Sequence, residues 1–234
     1  TQKVNGHLNG IRRFEVWNLS DFYDQDSLNW VSQNTGDSSY VPMSTGEYSS
    51  FMGKLSYNIG NIKMAVMLNQ NNSISQGYSH IYKYNPDGRG LGDAKTTLTM
   101  FQLNHFLNNR MFYDLKLSRT HNDYGSYVYE DYDSYEIISE DGIYRGSYFF
   151  AGDTLYNYVS DEYMTAYGSG FFTGGQDKGH LNRTLVTNNL KFDLTFQANS
   201  AHSIKAGFSF INYELSNTSH SIRNAYSGTS LEAD

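Results

Sequence analysis

Cysteine is absent from this chain, and only two of its 234 residues are proline. Without thiols there can be no disulfide framework and no thiolate metal site. No run approaches the roughly 18–20 apolar residues that a membrane helix needs, so an α-helical span is excluded. Basic residues are in deficit: 17 Lys and Arg against 24 Asp and Glu give a net charge of −7. That balance argues against a nucleic-acid partner, which would require a basic face. The opening residues TQKVNG lack the apolar stretch of a secretory leader. No G-x-S-x-G, phosphate-binding glycine loop or H-E-x-x-H occurs, and no nucleophile can be singled out. Nothing indicates an enzyme, and no cofactor is implied.

What is present is a strand-forming and turn-forming composition: 21 Tyr, 14 Phe and 21 Gly, at a mean hydropathy of −0.59. The expected fold class is all-β. Residues 97–119 carry the pattern most plainly. Thr99, Phe101, Leu103 and Leu107 share one parity, with Gln102 and Asn104 on the other. After a short turn at 107–110, Met111, Tyr113, Leu115 and Leu117 alternate with Asp114, Lys116 and Ser118. Period-two alternation on both sides of a tight turn is the signature of an antiparallel hairpin with unlike faces. A second hairpin sets Phe51, Gly53, Leu55, Tyr57 and Ile59 against Lys54 and its neighbours. It turns at 58–61 and returns as Ile62, Met64, Val66 and Leu68 against Lys63. A third runs over 184–213, with Leu190, Phe192, Leu194 and Phe196 opposing Lys191 and Asp193. After a turn at 198–201, Ile204, Ala206, Phe208 and Phe210 oppose Lys205. Two weaker arms are expected over 3–22, the first through Val4 and Leu8 and the second through Phe14 and Val16.

The connections separate a soluble sheet from a membrane barrel. Turns inside the hairpins are short, whereas polar connections at 24–47, 70–95 and 120–182 are long. Short turns on one side and long loops on the other is the arrangement of transmembrane barrels, while sandwiches scatter loop lengths over both ends. The long arms also fit the roughly 9–11 residues of a tilted spanning strand. The expected architecture is therefore an antiparallel meander of hairpins forming part of a transmembrane β-barrel in a bacterial outer membrane. Its apolar residues face lipid, and Lys54, Lys63, Asp114, Lys116, Lys191, Asp193 and Lys205 face the lumen. A Lys facing lipid at the midplane would cost about 2–4 kcal/mol. This reading requires a leader upstream of Thr1 and further strands beyond the polar C-terminal end, so both ends are expected to be cut.

The residues KYNPDG at 83–88, FQLNHFL at 101–107 and FYDLKLS at 112–118 resemble the barrel of TonB-dependent outer-membrane receptors. The Bacteroidota-type members with a carboxypeptidase-like regulatory domain are the nearest likeness. YVYED at 127–131 and HSIKAGF at 202–208 fit the same pattern, and the resemblance spans about residues 50–215. It implies a barrel domain over residues 1–234 whose plug and remaining strands are absent. The implied function is binding a scarce nutrient outside and importing it with energy delivered by TonB, through a plug region this chain does not contain. The family's ligand residues vary with substrate and do not transfer.

Within the 120–182 connection sit about half of the tyrosines. Tyr127, Tyr129, Tyr132, Tyr135, Tyr144, Tyr148, Tyr156 and Tyr158 offer flat faces with polar tips, suited to sugars, chelates or peptides. The plainer alternative is that most pack the loops together or form an interfacial girdle. Glu130, Asp131, Asp133 and Glu136 lack the glycine and terminal glutamate of a calcium loop, and the seven His show no ligating spacing, so no metal is expected. Two other readings stay open: a small eight-stranded barrel with an adhesin or structural role, and a secreted β-sandwich that binds polysaccharide.

Overall fold

A computed structural model describes residues 2–5, 8–14, 21–24, 29–32, 35–128, 130, 149–151, 154–156, 164–165 and 170–222. Within them the fold is all-β, as the alternation predicts. Six long strands pair in succession: β6 (Thr45–Ile59), β7 (Ile62–Gln76), β8 (Leu91–Asn108), β9 (Met111–Tyr127), β12 (Gly179–Gln197) and β13 (Ser203–Ser221). The short β1 (Gln2–Asn5) pairs with β6 at the far edge and completes a seven-stranded antiparallel sheet. Three two-stranded ribbons stand apart: β2 (Asn9–Ile11) with β5 (Tyr40–Pro42), β3 (Asp21–Asp24) with β4 (Asn29–Ser32), and β10 (Phe149–Ala151) with β11 (Thr154–Tyr156). Among the described residues the large sheet is open, with β1 and β13 as unpaired edges.

All three hairpin turns lie at one end of the sheet. Gly60 and Asn61 join β6 to β7, with Gly60 at φ 52°. Positive φ at the first of two loop residues is the type II′ pattern, which suits the twist of paired strands. Between β8 and β9, the Asn108 side chain accepts from the Arg110 amide at 2.8 Å, and a bulge lies between Phe106 and Asn108. From β12 to β13 the Asn199 carboxamide oxygen accepts from the amides of Ala201 and His202, both at 2.9 Å.

The register is continuous through β12 and β13, so cross-strand rows can be read off directly. One row is Leu55, Val66, Phe101, Leu117, Leu190 and Phe210; the next toward the turns is Tyr57, Met64, Leu103, Leu115, Phe192 and Phe208. Interleaved rows on the other face include Ser56, Ala65, Gln102, Lys116, Lys191 and Ser209, then Lys63, Asn104, Asp114, Asp193 and Gly207. Gly207 is needed there, because a Cβ would come within 2.6 Å of the Phe192 carbonyl oxygen.

Several sequence expectations are corrected. The ladder runs well past the apolar alternation, so the connection expected over 70–95 shrinks to 77–90 and the one over 120–182 to 128–178. The polar stretch before the first clear hairpin likewise yields its last residues to β6, and contains β4 and β5. Polar residues on both faces hide a strand's periodicity, yet its backbone groups still pair with a neighbour. The first expected arm does not run as one strand, since Val4 in β1 pairs with β6 and Gly10 in β2 pairs with β5; of the second arm Phe14 is buried and Val16 lies outside the described residues. Replacing Gly60 with Val should lower stability by about 1–2 kcal/mol, since an L side chain resists positive φ. Gly60→Asn should cost less, and comparing the denaturant midpoints of the two variants checks the turn assignment.

Candidate functional site

The end of the sheet opposite the turns carries a loop platform, and here lie most of the fully buried side chains among the described residues. Met43, Tyr82, Asn85, Pro86, Arg89 and Gln176 are all buried. Asn85, 0% exposed, donates from Nδ2 to the Gly175 carbonyl at 2.7 Å, tying the 77–90 connection to the segment before β12. Asp177 N donates to the Gly88 carbonyl at 2.7 Å and reinforces that join. Arg89 donates to the Met43 carbonyl at 3.0 Å, and burial lowers its pKa from the ordinary arginine value. Arg12 reaches in from the residue after β2. It donates to Asp87 at 2.5 Å, to Ser39 at 2.9 Å and to Asp37 at 3.3 Å. The hydrogen bond to Asp87 raises the Arg12 pKa, with partial burial opposing. Asp37 is lowered, first by its hydrogen bonds with Ser39 and then by Arg12.

Along the last row of the sheet, Tyr127, His180 and His220 stand on three adjacent strands. The phenol ring of Tyr127 stacks on His180 at 5.3 Å, and His180 on His220 at 5.0 Å. His180 is 2% exposed and donates from Nε2 to the Glu130 carbonyl at 2.9 Å. Spacing along the chain could not reveal this, since the two histidines lie far apart in sequence. Counting outward from Gln197 opposite Ser203 does bring His180 opposite His220.

A polar cleft of about 310 Å³ lies just below, lined in part by Asp93, Lys95, Asp123, Tyr127 and Glu130. Lys95 pairs with Asp93 at 3.4 Å, and Asp123 lies 2.9 Å from His121 Nε2 and accepts from the Thr184 hydroxyl at 2.8 Å. Among the described residues no group of three or more His, Asp or Glu could hold a metal ion.

Of the eight candidate tyrosines, Tyr127 alone has a described side chain, and it is buried at the end of β9. Tyr156 contributes its backbone to β11. Tyr129, Tyr132, Tyr135, Tyr144, Tyr148 and Tyr158 lie outside the described residues, as do Asp131, Asp133 and Glu136. The charged set is placed more fully. Lys54, Lys63, Asp114, Lys116, Lys191, Asp193 and Lys205 all fall on one face by register. Asp114 stands opposite Asp193, and Lys116 opposite Lys191. Like charges directly across a ladder repel. Here the along-strand neighbour compensates, with Lys191 Nζ 3.2 Å from Asp193, and Asn104 donates to Asp114.

The class of protein that these features define is an all-β chain built on one antiparallel sheet, with turns at one end and a loop platform at the other. Comparisons with protein-family models, curated proteins and solved structures found no match. Replacing Asn85 with Ala would leave the Gly175 carbonyl buried without this donor, at a cost of about 1–3 kcal/mol. Limited proteolysis should then cut within 77–90 faster than in the parent chain, at unchanged cleavage of the hairpin turns.

Proposed function

We propose that this chain is a wall segment of an outer-membrane transporter of the TonB-dependent kind, which binds and imports a scarce nutrient such as a siderophore, oligosaccharide or peptide. The turn end of the sheet spans the bilayer, the apolar rows face lipid, and the lysines and aspartates face a wet lumen. The loop platform stands outside the cell. Energy reaches the transporter from TonB through a plug that is no part of these residues.

One observation carries this reading: the apolar face changes sides partway along a strand whose register does not slip. On β13 the turn half puts Ile204, Phe208 and Phe210 on one face and Lys205 on the other. Beyond Phe210 the order reverses, with Ile211, Tyr213 and Leu215 on the lysine face and Asn212 and Glu214 on the former apolar face. β8 shows the same exchange, as Leu103 and Phe101 give way to Thr99, Thr97 and Lys95, while Met100 and Leu98 appear opposite. A soluble sheet keeps one apolar face against one core. A sheet that leaves a bilayer gives up its apolar outer face at that height, because its outer surroundings turn from hydrocarbon to water.

Exposure supports the same view. Leu55 is 76% exposed, Phe210 62% and Phe208 57%, in rows that continue across neighbouring strands. Each such side chain forgoes about 1.5–3 kcal/mol if left in water, and contiguous apolar patches of this kind mark contact surfaces. The upper limit of the apolar band falls from Phe51 on β6 to Leu68 on β7 and Phe101 on β8, then keeps to one row through Leu117, Leu190 and Phe210. The free edge of β13 is where further strands continue the wall, since a long apolar edge in isolation is an aggregation site.

The absence of cysteine makes the test direct. A fluorophore attached at Leu117→Cys should be quenched by a lipid-phase nitroxide, and the unlabelled thiol should be shielded from a charged, water-soluble thiol reagent. Lys116→Cys, one residue away, should show the opposite pattern, and equal labelling of both would overturn the membrane orientation. Transport is tested separately. A deletion strain should lose growth on one limiting nutrient among iron chelates, oligosaccharides and peptides. In the parent strain that uptake should stop when the proton gradient is collapsed.

A further inference from the structure

Where the apolar face ends, the sheet carries a groove of about 470 Å³, within the roughly 300–1,000 Å³ of ligand pockets. Its apolar part is formed by Phe101, Leu117, Leu190 and Phe210, one residue from each of four adjacent strands in a single cross-strand row. The row above supplies a polar rim of Thr99, Arg119 and Asn188. Arg119 is exposed, and among the described residues no hydrogen bond or ion pair engages its guanidinium. Its neighbours higher on the same face are accounted for: Lys95 pairs with Asp93, and His121 with Asp123. A free cation thus stands over an apolar trough at the level where the surface turns from greasy to polar.

We infer that this groove holds one phosphate-bearing lipid of the surrounding leaflet, with its acyl chain in the trough and its phosphate on Arg119. The inference rests on the membrane orientation proposed above. The trough is a lining an acyl chain can fill, and the rim adds a guanidinium with a hydroxyl and a carboxamide. Guanidinium is the side chain that matches phosphate oxygens by two parallel hydrogen bonds. A zwitterionic lipid would place its own cation beside Arg119, so the groove discriminates for an anionic headgroup. An apolar peptide would fill the trough but leave Arg119 unanswered, and a free phosphate would leave the trough empty.

The test uses the full chain purified in non-ionic detergent, with retained lipid counted by native mass spectrometry. Dilauroyl phosphatidic acid should be retained at about tenfold lower concentration than dilauroyl phosphatidylcholine. Arg119→Gln should erase that preference, Arg119→Lys should restore most of it, and Phe210→Ala should weaken retention of both lipids. Lys54→Gln, on the opposite face, should change nothing, and inorganic phosphate should not compete. An undiminished preference in Arg119→Gln, or equal loss in Lys54→Gln, overturns the lipid site. The membrane orientation is judged on its own by whether the parent chain remains with vesicles after an alkaline wash. If it does not, the orientation fails and the site with it; if it does while Arg119→Gln keeps its preference, the site alone fails.

Discussion

The antiparallel ladder from β6 to β13 is the constraint on which the rest of this molecule depends. Side chains alternate with a period of two, so a slip of a single residue in any pairing would move every lysine of one strand onto the apolar face. Continuous pairing from Gln197 opposite Ser203 to Gly179 opposite Ser221 prevents this along the whole of β12 and β13. The β8–β9 hairpin accommodates one irregularity, at Phe106 and Asn108, next to its turn, where a displaced residue disturbs no row above it.

With the register fixed, the distribution of buried groups becomes intelligible. A globular domain gathers its core between layers; here the most buried side chains belong to the platform, among them Met43, Asn85 and Gln176. The sheet keeps large apolar groups exposed, from Phe51 and Leu55 on β6 to Phe208 and Phe210 on β13. The two regions use different chemistry. The platform is held by carbonyls and amides satisfied across distant segments, such as Asn85 with Gly175 and Arg89 with Met43. The sheet is held by its own ladder and by rows of side chains suited to hydrocarbon.

Charge follows the same division. Near the turns, like charges face each other across β9 and β12 and are balanced along the strand, as Lys191 balances Asp193. Such an arrangement suits a wet, high-dielectric surface, where direct repulsion is weak and solvent completes each group's hydrogen bonds. At the platform, Arg12 gathers Asp37, Ser39 and Asp87 from separate segments into one network. Between these zones stands Arg119, unpaired among the described residues, at the height where the two surfaces exchange character.

The local code was sufficient for the three hairpins and for the common face of Lys54, Lys63, Asp114, Lys116, Lys191, Asp193 and Lys205, because a period of two is written in consecutive residues. It was insufficient for strand ends, since the residues leading to Gln76, Tyr127 and Gly179 extend the ladder with polar groups on both faces. Tyr127, which the sequence offered either as a ligand ring or as a packing residue, is buried and stacked on His180. The pairing of His180 with His220, the burial of Asn85 and the rim position of Arg119 were all decided by tertiary structure. Each depends on which residue of one strand or loop meets which residue of another far along the chain. Periodicity determines which side of a strand a residue takes; only the closed set of hydrogen bonds determines its height and its neighbours.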